Sequence, residues 1–298
     1  MLNRRIKMLV ADDSQTIRSI FRSVAQRSCS LIDLVEVANG RDCVKELTRG
    51  DIDLAFIDVY MPEMSGLDAL RGARHIGIKT FVTLMSGPDS DKFMDLAQQL
   101  NAYEFLRKPF GIRDVEGIIE TYRKVVGPTK VLIVDDSMTF RRIVEQVLDA
   151  SIFRLDCYEA PDGATALAYC DRVDFDIVFL DCNMPGLDGL ATLDQLRLRS
   201  CDAMVVMITG ESDKDHEARA LKRGAAAFMY KPFSPQQVDT VLHKLLGLRV
   251  PDLMAWDGEE PGSATGRSHD VVAAGTGVSG GRSPATSRRR GAPARARD

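Results

Sequence analysis

Short apolar runs alternate with stretches of helical spacing along most of the chain. In the first half, MLVA (8–11), LVEV (34–37), LAFI (54–57), FVTLM (81–85) and YEFL (103–106) predict five strands. Between them Ile17, Ile20, Phe21 and Val24 recur at steps of three and four, as do Val44 and Leu47, Leu67 and Leu70, and Phe93, Leu96 and Leu100. Val115, Ile118, Ile119 and Tyr122 mark a fifth helix. Strands that alternate with helices predict βα units around a parallel sheet, because a parallel strand returns only through a crossover long enough to hold a helix.

The pattern then repeats at an offset of 123 residues. VLIV (131–134), LDCY (155–158), IVFL (177–180), MVVMI (204–208) and AAFMY (226–230) reproduce the strands, and Phe140, Ile143, Val144 and Val147 reproduce the first helical face. Turn residues keep the register: Gly40 aligns with Gly163, Gly66 with Gly189, and Asn101 with Gly224 just past the fourth helix. Gly and Asn most readily take the left-handed conformation at a helix C′ position, so that exchange preserves a backbone requirement. Gly127-Pro128-Thr129 is too short a join to act as a flexible tether, so the two units are expected to touch. This divides the chain into a first unit at 1–126, a second at 129–248 and a Gly/Ser/Ala/Arg-rich tail at 249–298. The tail has too little apolar surface to offset its ordering entropy and is expected to be disordered.

Composition narrows the class without naming a partner. Hydrophobic residues make up 45% and charged residues 28%, with a net charge of -4, as in soluble globular proteins. No stretch approaches the roughly 20 apolar residues that span a bilayer, and the start MLNRRIKMLVADDS lacks a secretory apolar core. A cytoplasmic location without membrane insertion is therefore expected. Cys29, Cys43, Cys157, Cys170, Cys182 and Cys201 show no CxxC spacing and read as reduced thiols. Ser287-Arg288-Arg289-Arg290 with Arg295 and Arg297 reads as a solvated charge run, not a specific nucleic-acid site, because no aromatic residue interleaves it. Trp256, the single tryptophan, reads as a linker residue.

The costly positions carry the chemistry. Asp12, Asp13, Asp58, Ser86 and Lys108 recur as Asp135, Asp136, Asp181, Thr209 and Lys231. Within each unit they follow strands one, three, four and five, the sheet edge where an open α/β fold binds ligands. Three carboxylates gathered at about 4 Å repel by on the order of 4 kcal/mol per pair at an effective dielectric of 20. A hard divalent cation relieves that repulsion, and Mg²⁺ suits one or two carboxylates plus water and a phosphate oxygen. The lysine and hydroxyl supply the charge and donor that phosphoryl oxygens require. A carboxylate in that setting is a nucleophile for in-line phosphoryl transfer, giving an aspartyl phosphate. Ser14 and Ser137, directly after the acidic pairs, read as helix N-caps.

LVADDS and LIVDDS, FIDVYMPEMSG and FLDCNMPGLDG, MSG and ITG, and LRKPF and MYKPF together resemble the CheY-like receiver domain of two-component response regulators, present twice, over residues 5–126 and 129–247. The resemblance implies two tandem (βα)5 flavodoxin-like domains, each a five-stranded parallel sheet of order 2-1-3-4-5. It implies Asp58 and Asp181 as phosphoacceptors. Asp13 and Asp136 would be direct Mg²⁺ ligands, with Asp12 and Asp135 acting through water and the carbonyls of Tyr60 and Asn183 completing the site. Lys108 and Lys231 would contact the phosphoryl group, Ser86 and Thr209 would move to it, and Phe105 and Phe228 would be switching aromatics. Pro109 and Pro232 stand where the family commonly has a cis lysine-proline bond.

His75, His216, His243 and His269 lack metal spacing and read as surface or helix residues. The phosphoryl donor is then another protein, a sensor histidine kinase or a histidine phosphotransfer protein. Output to an unknown downstream protein would pass through contact at helix four, strand five and helix five of either unit, with no output enzyme domain. Two other readings compete: a structural adaptor that is never phosphorylated, and a phosphatase with an aspartyl nucleophile. The second usually needs an acid two residues beyond the nucleophile, where this chain has Tyr60 and Asn183.

Overall fold

A computed structural model describes residues 5–28, 31–88, 90–210, 214–254 and 272–273. The first unit runs β1 (Ile6–Ala11), α1 (Gln15–Arg27), β2 (Ile32–Val37), α2 (Gly40–Thr48), β3 (Leu54–Asp58), α3 (Gly66–His75), β4 (Phe81–Ser86), α4 (Met94–Gln99), β5 (Glu104–Arg107) and α5 (Ile112–Val126). The second runs β6 (Thr129–Val134), α6 (Met138–Asp149), β7 (Leu155–Ala160), α7 (Gly163–Cys170), β8 (Ile177–Asp181), α8 (Gly189–Leu198), β9 (Met204–Thr209), α9 (Lys214–Lys222), β10 (Ala227–Tyr230) and α10 (Pro235–Leu245). The sheets have the orders β2-β1-β3-β4-β5 and β7-β6-β8-β9-β10, and all these pairings are parallel. A short β11 (Val272–Ala273) adds antiparallel to β10. These are two doubly wound α/β sheets in tandem.

Strand side chains alternate between two cores. On one face of the first sheet Leu9, Ala11 and Ile57 meet Leu47 of α2 and Leu70 of α3. On the other, Met8, Val10 and Phe56 meet Phe21 of α1 and Ile118 of α5. Burial on both faces explains why the strands read as continuous apolar runs. The helices begin where their caps dictate: Ser14 accepts from the Ile17 N–H and Ser137 from the Phe140 N–H. Asn101 and Gly224 both take positive φ, 48° and 94°, at the paired turn after the fourth helix.

Gly66 and Gly189 have a stricter task. A Cβ there would lie 2.0 Å from the Asp58 carbonyl oxygen and 2.1 Å from that of Asp181, so each helix start is pressed against the end of the neighbouring strand.

The two units touch. The Arg154 N–H donates to the Val125 carbonyl at 2.9 Å, and Val125 and Phe81 join the second unit's core with Val131, Phe153 and Leu242. Tyr103 and His243 meet at 2.8 Å between hydroxyl and Nε2. His243 is a helix residue of α10, as one branch of its reading has it, but it has no exposed area, since Tyr103 of the first unit packs against it.

The expectation of disorder from residue 249 onward also fails for residues 249–254. Pro251 and Leu253 are buried, and Asp252–Met254 form a single 3-10 turn. Apart from β11, the rest of the tail, including Trp256, His269 and the terminal arginines, lies outside the described residues.

Candidate functional site

Both units bring their acidic and basic residues to the C-terminal ends of the strands. In the first, Lys108 Nζ lies 2.8 Å from Asp12 Oδ2 and 2.8 Å from Asp58 Oδ2. In the second, Lys231 Nζ lies 2.6 Å from Asp135 Oδ2 and 2.6 Å from Asp181 Oδ1. Residues distant in sequence meet because β3 and β8 end at Asp58 and Asp181, while β5 and β10 stop just short of the lysines. The peptide bonds Lys108–Pro109 and Lys231–Pro232 are both cis.

Burial sorts the carboxylates. Asp12, Asp58, Asp135 and Asp181 are buried, whereas Asp13 and Asp136 face solvent. Burial holds the Asp58 and Asp181 carboxyls above the usual carboxylate range, and the hydrogen bond and charge of Lys108 or Lys231 pull them back in part. Burial pulls the Lys108 ammonium down, but the bonds and charges of Asp12 and Asp58 outweigh it and leave the group raised. Backbone geometry contributes too: the N–H groups of Tyr60 and Asn183 point at Asp58 and Asp181, at 3.4 and 3.1 Å.

A divalent cation fits this donor set. Asp12, Asp13 and Asp58 each offer an oxygen within 4.8 Å of the others, and the single charge of Lys108, paired with Asp12 and Asp58, does not balance three carboxylates. In the second unit, Asp135, Asp136, Asp181, Asn183, Lys231 and Phe140 line an open pocket of about 490 Å³. Of the remaining predicted residues, Ser86 is buried and its hydroxyl donates to the Gly87 carbonyl at 3.3 Å, away from the carboxylates. Thr209 is buried, Phe228 is 1% exposed, and Phe105 is half-buried.

Three supporting features were missed from the sequence. Arg18 donates to the Asp12 carbonyl at 2.5 Å and pairs with Glu36 at 3.5 Å; Arg141 donates to the Asp135 carbonyl at 2.8 Å and pairs with Glu159 at 2.7 Å. These Arg–Glu pairs hold the backbone that presents each acidic pair. They obey the same 123-residue offset, which is the signal that could have found them. Third, Lys231 Nζ sits 3.7 Å above the Phe140 ring, a cation–π contact for which the aligned Ile17 of the first unit offers no ring.

Fold and site together define a doubly wound α/β protein with two acid–lysine clusters at strand ends. The response regulator receiver domain profile matches residues 8–120 and 131–243. The chain belongs to that family and carries two receiver domains of a two-component system in tandem.

It is 36% identical over 115 residues to the chemotaxis protein CheY of Listeria monocytogenes, covering 39% of this chain and 96% of CheY. It is 32% identical over 117 residues to the nitrate/nitrite response regulator protein NarL of Escherichia coli, covering 39% of this chain and 54% of NarL. The match thus spans about half the length of NarL. A solved structure of a probable two-component system response regulator/GGDEF domain protein superposes with a TM-score of 0.56 at 23% identity, over 82% of this chain and 98% of that one, a likeness of fold. Among the described residues no helix is long and apolar enough to cross a membrane.

Proposed function

We propose that this protein accepts phosphoryl groups on Asp58 and Asp181 from the phosphohistidine of a sensor histidine kinase or a histidine phosphotransfer protein, and signals by protein contact. The observation that carries this reading is the doubled cluster: in each unit a buried carboxylate ends the third strand, bonded to a lysine that also bonds the first strand's aspartate.

In the proposed step a carboxylate oxygen of Asp58 or Asp181 attacks phosphorus in line. The N–P bond breaks, and its electron pair returns to the donor imidazole, which leaves neutral after taking a proton. Lys108 and Lys231 would hold phosphoryl oxygens, and the hydroxyls of Ser86 and Thr209 would turn to a further oxygen. Mg²⁺, held by Asp13 and Asp58 with Asp12, or by Asp136 and Asp181 with Asp135, together with the Tyr60 or Asn183 carbonyl, would neutralise the oxygens' charge. Arg18 and Arg141 act on neither substrate nor metal; they fix the loops that carry the acidic pairs.

Intact mass after incubation with Mg²⁺ and acetyl phosphate tests the reading. Wild type should gain up to two phosphoryl groups, Asp58→Asn and Asp181→Asn up to one each, and the double variant none. No gain in wild type, with the donor active on a control receiver, would favour a purely structural adaptor.

A further inference from the structure

Beyond α10 the chain crosses onto the first receiver. Gly247 turns it with φ at +63°, and the Met254 N–H closes the small turn on the Pro251 carbonyl at 2.9 Å. Leu253 is 6% exposed and belongs to the first receiver's apolar cluster with Ala97, Leu100, Ala102 and the half-buried Phe105. The Gln98 side-chain amide of α4 donates to the Leu253 carbonyl at 3.1 Å. Arg249 and Asp252 pair at 3.1 Å beside Glu104 of β5. Burial raises the Glu104 carboxyl to about 7, with Arg249 opposing the rise and Asp252 adding to it. An apolar anchor and a hydrogen bond from the Gln98 side chain to the Leu253 carbonyl thus seat one short segment on the face formed by α4 and β5, and the Arg249–Asp252 pair closes within that segment.

That face bears on the site through β5, which carries Phe105 and leads directly to Lys108. The two receivers show the aromatic of the fifth strand in two settings: Phe228 of β10 is 1% exposed, whereas Phe105 of β5, in the cluster that takes up Leu253, remains half-buried. In the same receiver the Ser86 hydroxyl faces Gly87 and not the carboxylates.

We propose that Pro251–Met254 is an intramolecular ligand of the first receiver's α4–β5 face, and that its seating opposes phosphorylation at Asp58. The inference rests on the phosphoacceptor reading above. A segment tethered a few residues from a packed helix competes at the millimolar effective concentration typical of short linkers. A protein partner that inserts an apolar side chain at this face must displace Leu253, and phosphorylation at Asp58 must loosen it. Linkage is reciprocal, so loosening the segment must favour phosphorylation by the same factor.

Leu253→Ala and Gln98→Ala, made in the full chain, loosen the contact from its two sides. Asp58 phosphorylation by acetyl phosphate and Mg²⁺ is followed by intact mass in an Asp181→Asn background, and Asp181 phosphorylation in an Asp58→Asn background. Each variant should raise the extent of Asp58 phosphorylation at subsaturating donor about fivefold or more, the lower range of measured couplings, and leave Asp181 unchanged. An unaltered or reduced Asp58 signal, with both aspartates still accepting phosphoryl groups, overturns the linkage and spares the proposed function. Absence of any phosphoryl gain in wild type overturns both. Hydrogen exchange of the unphosphorylated chain checks the docking itself: α4 and β5 amides should exchange faster in both variants, and unchanged protection would show that the segment does not hold this face.

Discussion

Removing one hydroxyl at the joint between the receivers should weaken both of them. Tyr103 is 4% exposed and His243 has no exposed area, so neither can exchange its partner for water. His243 Nδ1 lies 2.6 Å from the Asp239 carbonyl, which only accepts, so Nδ1 carries the proton and Nε2 accepts from the Tyr103 hydroxyl at 2.8 Å. Tyr103→Phe keeps the ring and its 4.3 Å centroid contact with Phe81. It leaves a buried imidazole nitrogen unpaired, which costs about 1–3 kcal/mol. His243→Phe leaves the hydroxyl unpaired instead, with a similar cost. The double variant removes both polar atoms, so it should cost less than the sum of the single variants by roughly 1 kcal/mol. Urea unfolding of the full chain supplies the free energies, and native-state hydrogen exchange reports each receiver separately, since two domains need not unfold in one step. Additivity within about 0.3 kcal/mol would refute the hydrogen bond. A loss of protection confined to one receiver would refute its role as a joint.

The same histidine sets a pH dependence. Burial pushes His243 below its ordinary range, with the bond to the Asp239 carbonyl opposing, so below about pH 6.5 the unfolded chain binds a proton that the folded chain resists. Its contribution is present above that pH and is lost as pH falls toward the depressed folded value. Asp239 and Glu104, raised by burial to about 6 and about 7, act with the opposite sign. Wild type should therefore lose stability relative to His243→Phe between pH 7 and 5, because the two carboxyls are common to both chains; parallel curves would contradict this. Magnesium should raise the thermal midpoint by mass action, worth about 2.7 kcal/mol at a hundredfold excess over the dissociation constant. Asp13→Asn should abolish most of the first receiver's share, and identical melting with Mg²⁺ or a chelator would defeat the cation assignment. Finally, the Asp181 phosphate should decay faster than that of Asp58. The Tyr60 ring packs edge-on against Phe93 at 5.7 Å beside the first site, while Asn183 lines the open second pocket; Pro88 is exposed, and Glu211 lies outside the described residues. Equal or reversed decay in Asp58→Asn and Asp181→Asn would remove that distinction.

What the sequence disclosed and what it concealed divide along a physical line. Sheet order, strand identity and the gathering of the paired acids and lysines at the strand ends were legible because each is either periodic or repeated: Val10 and Phe56 announce a doubly covered strand, and Lys231 restates Lys108. Strand starts were less legible. β1 begins at Ile6, not Met8: Lys7 interrupts the apolar run, yet Ile6 and Lys7 already pair with Ile32 and Asp33 of β2. Arg18 and Arg141 escaped notice since an arginine on an amphipathic helix looks solvated until its carbonyl partner is known. His243 and Leu253 escaped for a deeper reason: their burial is conferred by the other receiver, and no periodicity within a segment encodes contact with a surface more than a hundred residues away. A composition rule averages over the whole tail, whereas two side chains, Pro251 and Leu253, are enough to anchor its first residues. Contacts of that kind join one receiver to the next. Regulation between otherwise duplicate sites therefore has to be sought where the 123-residue repeat breaks down.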